Sequence, residues 1–166
     1  MHDRRLIRHA VRDRLEQVVG PDAPEGLGFY ADRAAGFADA GETGLLNVAV
    51  ANSGGDLVDQ QASDVFRTYV VTVQLAIDGL ASDLDVDSDE PSCPDLIDDL
   101  ALKIEGALKR NDVLDREAPA LGFLPVNWEF VDDQVAFKPG GRGQVGNLFI
   151  RYALTLRQLD GAPTRS

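Results

Sequence analysis

The sequence predicts an α+β fold, an antiparallel or mixed β-sheet with two long strands packed by two helices in a single domain. Three observations carry this. The run Phe66–Asp78, FRTYVVTVQLAID, is the longest stretch of β-branched and aromatic residues. Side chains alternate faces along a strand, so Tyr69, Val71, Val73, Leu75 and Ile77 share an apolar face. Phe66, Thr68, Val70, Thr72, Gln74 and Ala76 share a mixed one. The run Asn147–Leu159, NLFIRYALTLRQL, repeats the pattern, with Leu148, Ile150, Tyr152, Leu154 and Leu156 set against Phe149, Arg151, Ala153, Thr155 and Arg157. Two strands of matched length and pattern are natural antiparallel neighbours. Finally, two stretches carry helical periodicity, one before the strands and one between them.

In chain order, Leu6–Val19 reads as the first helix, with Leu6, Ile7, Ala10, Val11, Leu15, Val18 and Val19 as its stripe. Arg4, Arg5, Arg8, Arg12 and Arg14 crowd its polar side. Arginines at a helix start oppose the macrodipole, so they are expected to pair with Asp3, Asp13 or acids elsewhere. Gly20-Pro21 stops the helix. Phe29–Ala31 reads as a short strand and Leu45–Ala51 as a clearer one, ending in the turn cluster Asn52–Gly55. Asp56–Val65 reads as a polar hairpin arm. Gly79–Asp99 is acidic throughout, with no Lys or Arg. Pro94 then fits the first position of the second helix, whose stripe is Leu96, Ile97, Leu100, Ala101, Ile104, Ala107 and Leu108. Phe123–Asp132 reads as a strand in which Val126, Trp128 and Phe130 alternate with Asn127, Glu129 and Val131, and Val135–Phe137 extends the return path. Pro139–Gly146 reads as a glycine loop, and 161–166 as a polar tail.

Composition narrows the function. A chain of 166 residues with 44% hydrophobic content fits one globular domain. No apolar run approaches the ~20 residues of a membrane span, and the N-terminal stretch lacks the apolar core of a secretory signal. One cysteine, Cys93, rules out an internal disulfide and suits a reducing compartment. Its acidic surroundings raise rather than lower a thiol pKa. A net charge of −12 argues against tight phosphate binding, yet suits an acidic wall that DNA passes without sticking.

No catalytic motif stands out. Asp85, Asp87 and Asp89 open like a calcium loop, but Glu90 and Leu96 occupy the positions where an EF-hand needs Gly and Glu. They read as a solvated acidic loop. Gly141–Gly146 matches G-x-G-x-x-G, but it leads into a strand pattern rather than a helix, so no helix N-terminus meets a phosphate. His2 and His9 share a helix face with no third ligand in view. Trp128, alternating with Val126 and Phe130, reads as core.

The succession of these stretches resembles a known family, the tail terminator proteins of long-tailed phages of the lambda minor tail protein U type. LIRHAVRDRLEQV resembles its first helix and FYADRAAGFADAGETGLLNVAVANSGG its first two strands. FRTYVVTVQLAID resembles its long strand, PDLIDDLALKIEGALKR the following helix, and FLPVNWEFVDD with GNLFIRYALTLRQL its closing strand pair. The resemblance implies a homo-hexameric ring on the last ring of the tail tube. That ring ends polymerisation and docks head-completion or neck proteins while DNA passes through its lumen. It further implies a virion location after assembly in the bacterial host cytoplasm, with no catalysis, cofactor or membrane.

A ring needs surfaces that repeat. The outer faces of the long strands offer Phe66, Val70, Ala76, Phe149, Arg151 and Ala153, and the flanking loops offer Asp56, Asp59 and Arg142. Whether the protein's own helices cover those strand faces is open from sequence. Two other functions compete: a head–tail joining or neck protein, and a small-molecule enzyme using a divalent ion at the acidic loop.

Overall fold

A computed structural model describes residues 3–24, 26–31, 44–52, 57–59, 64–80, 93–109, 123–140 and 143–158. Among these residues two α-helices, α1 (Asp3–Val19) and α2 (Cys93–Ala107), accompany six strands. The strands are β1 (Leu27–Ala31), β2 (Gly44–Asn52), β3 (Leu57–Asp59), β4 (Asp64–Leu80), β5 (Phe123–Gly140) and β6 (Gly143–Gln158). They form one sheet in the order β1-β2-β4-β6-β5, with β3 following β2 along the same side of β4. Among the described residues only β1 and β2 run parallel; every other pair is antiparallel. The α+β class follows directly.

The two long strands lie side by side, as their matched patterns require. Tyr69 faces Leu154, Val71 faces Tyr152, Val73 faces Ile150 and Leu75 faces Leu148. These residues are all buried, and they form one cluster with Leu46, Val48 and Val50 of β2. Both helices close over this same face. Ile7, Val11, Leu15 and Val19 of α1 and Ile97, Leu100 and Ile104 of α2 belong to the same cluster. Each such side chain contributes about 1.5–3 kcal/mol on leaving water, so this layer dominates stability. α1 lies over β1 and β2, and α2 over β4 and β6. Val18, expected in the α1 stripe, is instead 40% exposed. It lies at the edge of the stripe, where the helix turns away from the sheet.

The α1 arginines find partners. Arg12 pairs with Asp13 (Nε to Oδ1, 2.6 Å), and Arg14 donates to the Ala107 carbonyl at 3.4 Å. The second contact has a structural purpose. The last carbonyls of a helix have no partner within it, and cations suit that end of the dipole. α2 has no basic residue in its last turn, so α1 supplies one. After α1 a 3₁₀ turn, Gly20–Asp22, redirects the chain. Leu27 N–H donates to the Pro24 carbonyl at 3.2 Å, and Gly26 between them has φ 87°. A side chain there would be strained, so glycine is required.

One loop expectation is narrowed, and two readings of the connecting segments are extended. The loop expected over Pro139–Gly146 is shorter than that: β5 runs to Gly140, β6 begins at Gly143, and those two residues are paired. Glycine and proline are poor strand formers, but β5 is an edge strand, where a missing N–H at Pro139 costs no ladder bond. Within the hairpin arm expected over Asp56–Val65, β3 does pair antiparallel with the start of β4. The separate pieces Phe123–Asp132 and Val135–Phe137 are one strand. Its alternation changes phase because the ladder slips by a residue between Phe130 and Asp132. Val131 is the extra residue of that bulge, and it carries the inward set from even to odd positions. The acidic segment 81–92 and the tail 161–166 lie outside the described residues.

Candidate docking surfaces

Helix packing on one face leaves the other to be assessed as a surface. Along it, Phe66 faces Arg157, Val70 faces Ala153, Thr72 faces Arg151 and Gln74 faces Phe149. Phe66, Val70, Phe149 and Arg151 therefore share one face, and neither helix covers it. Phe66, Val70 and Ala153 are half-buried, while Phe149 and Arg151 are exposed. Thr68 and Thr155 hydroxyls meet across the strands at 3.3 Å. Ala76 does not belong to this surface: it is 4% exposed, beside Leu45 at 3% and Asn47 at 7%. That end of the face is closed to solvent. Asp59 lies in β3 paired with Asp64. Arg142 and Asp56 lie outside the described residues, as do Asp85, Asp87 and Asp89.

One ion pair organises the open part of the face. The Arg151 guanidinium grips Asp132 with both prongs, Nε reaching Oδ1 at 2.6 Å and Nη2 reaching Oδ2. With Thr72, Gln134 and Phe149 they line a shallow cleft of about 340 Å³. Hydrogen bonding to Arg151 holds the Asp132 carboxyl below its usual range and raises the guanidinium in turn. A depressed carboxylate stabilises the fold above its unfolded pKa, and that contribution fades as pH falls through the folded value. Both groups are solvent-exposed, so the pair fixes local geometry more than stability. Arg151→Gln is expected to return the Asp132 titration upward, by carboxyl NMR, with the melting temperature nearly unchanged. An unmoved titration would mean the pair does not form.

A second surface lies where α2 meets the edge strand. Leu102, Glu105, Gly106, Leu108, Lys109, Trp128, Phe130 and Tyr152 line a groove of about 440 Å³. Trp128 stacks on Tyr152 with ring centroids 4.9 Å apart, and Phe130 meets Tyr152 edge-on at 6.0 Å. The Trp128 indole donates to the Leu108 carbonyl at 2.6 Å. β5 thereby takes up a carbonyl at the end of α2, next to the one held by Arg14. Trp128 is part core, as its alternation predicts, and part groove wall. The Tyr152 hydroxyl is buried without a hydrogen-bond partner among the described residues. Burial, with a smaller push from Glu105, raises it to about 12. A phenol held so firmly neutral is a poor base. Sequence reasoning did not single out this groove. Its only signal was three aromatics, Trp128, Phe130 and Tyr152, on strands that pairing brings together.

Beyond α2, no helix among the described residues lies over the same side of β5. Val135 faces Leu148 and Phe137 faces Gly146, yet they are 42% and 39% exposed. Neither surface brings a nucleophile to a general base. Among the described residues no group of three or more His, Cys, Asp or Glu is placed to hold a metal. Among them, no helix is long and apolar enough to cross a membrane.

No protein-family model matches the chain, and no curated protein matches it.

Proposed function

We propose that the protein is a structural component of a long-tailed phage or phage-like particle. In this reading it is a tail terminator, whose copies close into a ring that caps the tail tube and receives the head-completion or neck protein. The observation that carries the reading is a sheet with an open strand at each end. Among the described residues β1 pairs only with β2, and β5 only with β6. A building block with two unlike open edges can repeat one head-to-tail contact, which gives a ring where the rotation between neighbours closes. The helix-free face with Phe66, Val70, Phe149 and Arg151 adds a flat surface for the tube or the neck. The resemblance in element order supports the same reading. The chemistry is one of shape, without turnover, and the acidity of the chain keeps the lumen from gripping DNA.

A pull-down against tail-tube and head-completion proteins tests this. Capture of both partners is expected. Binding to portal-side proteins alone would reject the terminator in favour of a neck protein. Stoichiometric binding of Mg²⁺, Mn²⁺ or Ca²⁺ lost on Asp85→Asn/Asp87→Asn would favour an enzyme.

A further inference from the structure

The groove between α2 and β5 holds two features that cost stability, and neither backbone nor packing accounts for them. The first is Gly106, inside α2. Glycine is among the weakest helix formers, because it has the most backbone freedom to lose and no side chain to pack. Its φ is not positive, so the backbone there does not call for glycine. Nor does crowding: a Cβ placed on it would meet nothing within 4 Å. The missing side chain leaves the α2 wall of the groove open to close approach. The second feature is Tyr152, which is 3% exposed and whose hydroxyl has no hydrogen-bond partner among the described residues. A buried donor without an acceptor costs free energy. Tyr152 lines the groove together with Gly106, and Glu105, next to Gly106 on α2, lies within electrostatic reach of the hydroxyl. A sequence that keeps two such local costs side by side marks a site that uses them.

We propose that this groove binds a small, neutral aromatic molecule carrying a carbonyl oxygen, its ring seated between Phe130 and Gly106 and its oxygen accepting from the Tyr152 hydroxyl. The lining selects that class. Phe130 is 51% exposed beside Trp128 and Tyr152, and ring faces and edges favour a flat aromatic partner. Leu102, 69% exposed, adds apolar surface on the opposite wall. Glu105 and Lys109 carry opposite charges among the lining residues, so a net charge on the ligand gains little. Tyr152 stays protonated well above neutral pH, so it offers a donor and calls for an acceptor. A volume of about 440 Å³ falls in the lower part of the range for small-molecule sites and suits one or two rings. The site is distinct from the sheet edges, so its failure would leave the ring reading untouched.

Trp128 is the only tryptophan of the chain and lines the groove, so its indole N–H resonance reports binding by NMR of the full chain. Acetophenone, a ring with a carbonyl, should shift that resonance saturably. Toluene, which lacks the acceptor, should bind about fivefold more weakly, the worth of one hydrogen bond. Tyr152→Phe should weaken acetophenone by the same factor, about fivefold, and leave toluene unchanged. Gly106→Leu fills the groove from the α2 side and should abolish binding of both. Its side chain starts in open space and leucine is the better helix former, so folding, checked by circular dichroism, is expected to survive. Three results would each overturn the site: no saturable shift in the parent, undiminished binding by Gly106→Leu, or equal losses of acetophenone and toluene in Tyr152→Phe.

Discussion

Replacing Trp128 with alanine is expected to destabilise the fold by about 3 kcal/mol, the lower end of the range for a large aromatic because the ring is only half-buried. Three losses combine. The stacking partner of Tyr152 disappears. The Leu108 carbonyl loses its indole donor. The edge strand loses its hydrogen bond to the end of α2. Trp128→Phe keeps the ring and removes the donor, so about 1 kcal/mol is expected there. Urea unfolding of both variants separates the contributions. A Trp128→Ala loss below the Trp128→Phe loss would mean that β5 is held by its ladder to β6 alone.

Tyr152 should make the fold sensitive to alkali. Its hydroxyl is raised from 10.0 to about 12, mainly by burial. The folded state holds that proton more tightly than the unfolded state. The resulting stability is fully present below pH 10 and is lost as pH rises through 12. Two pH units correspond to about 2–3 kcal/mol. Tyr152→Phe removes the titrating group and also a buried hydroxyl without a partner among the described residues. At neutral pH the variant should be as stable as the parent or about 1 kcal/mol more so. Between pH 10 and 12 its unfolding free energy should fall less steeply. Parallel curves for the two proteins would mean that the hydroxyl is solvated in the folded state.

The sheet was legible because period two is hard to mimic. Tyr69 to Ile77 and Leu148 to Leu156 mark their inner faces unambiguously, and their matched lengths make them neighbours. Both helices sit on that face for the same reason: the opposite face, with Thr68, Thr72, Gln74, Arg151 and Thr155, has too little apolar surface to hold them. Three features were not legible. The parallel pairing of β1 with β2 depends on a crossover that local pattern does not encode. The continuity of β5 was hidden by its bulge, since Val126, Trp128 and Phe130 occupy even positions while Val135 and Phe137 occupy odd ones. Gly140, Gly143 and Gly146 resemble loop residues, yet the β5–β6 ribbon accepts them. For the docking surfaces, sequence placed Phe66, Val70, Phe149 and Arg151 correctly on one face. It missed the groove, because that depends on which helix lies over which strand.

Electron microscopy of purified tail tubes mixed with the protein addresses the ring most directly. The expected image is a closed ring of copies on one end of each tube, with neighbouring sheets joined edge to edge and elongation halted once the ring is in place. Copies scattered along tube walls, or tubes that continue to grow with the protein bound, would contradict it.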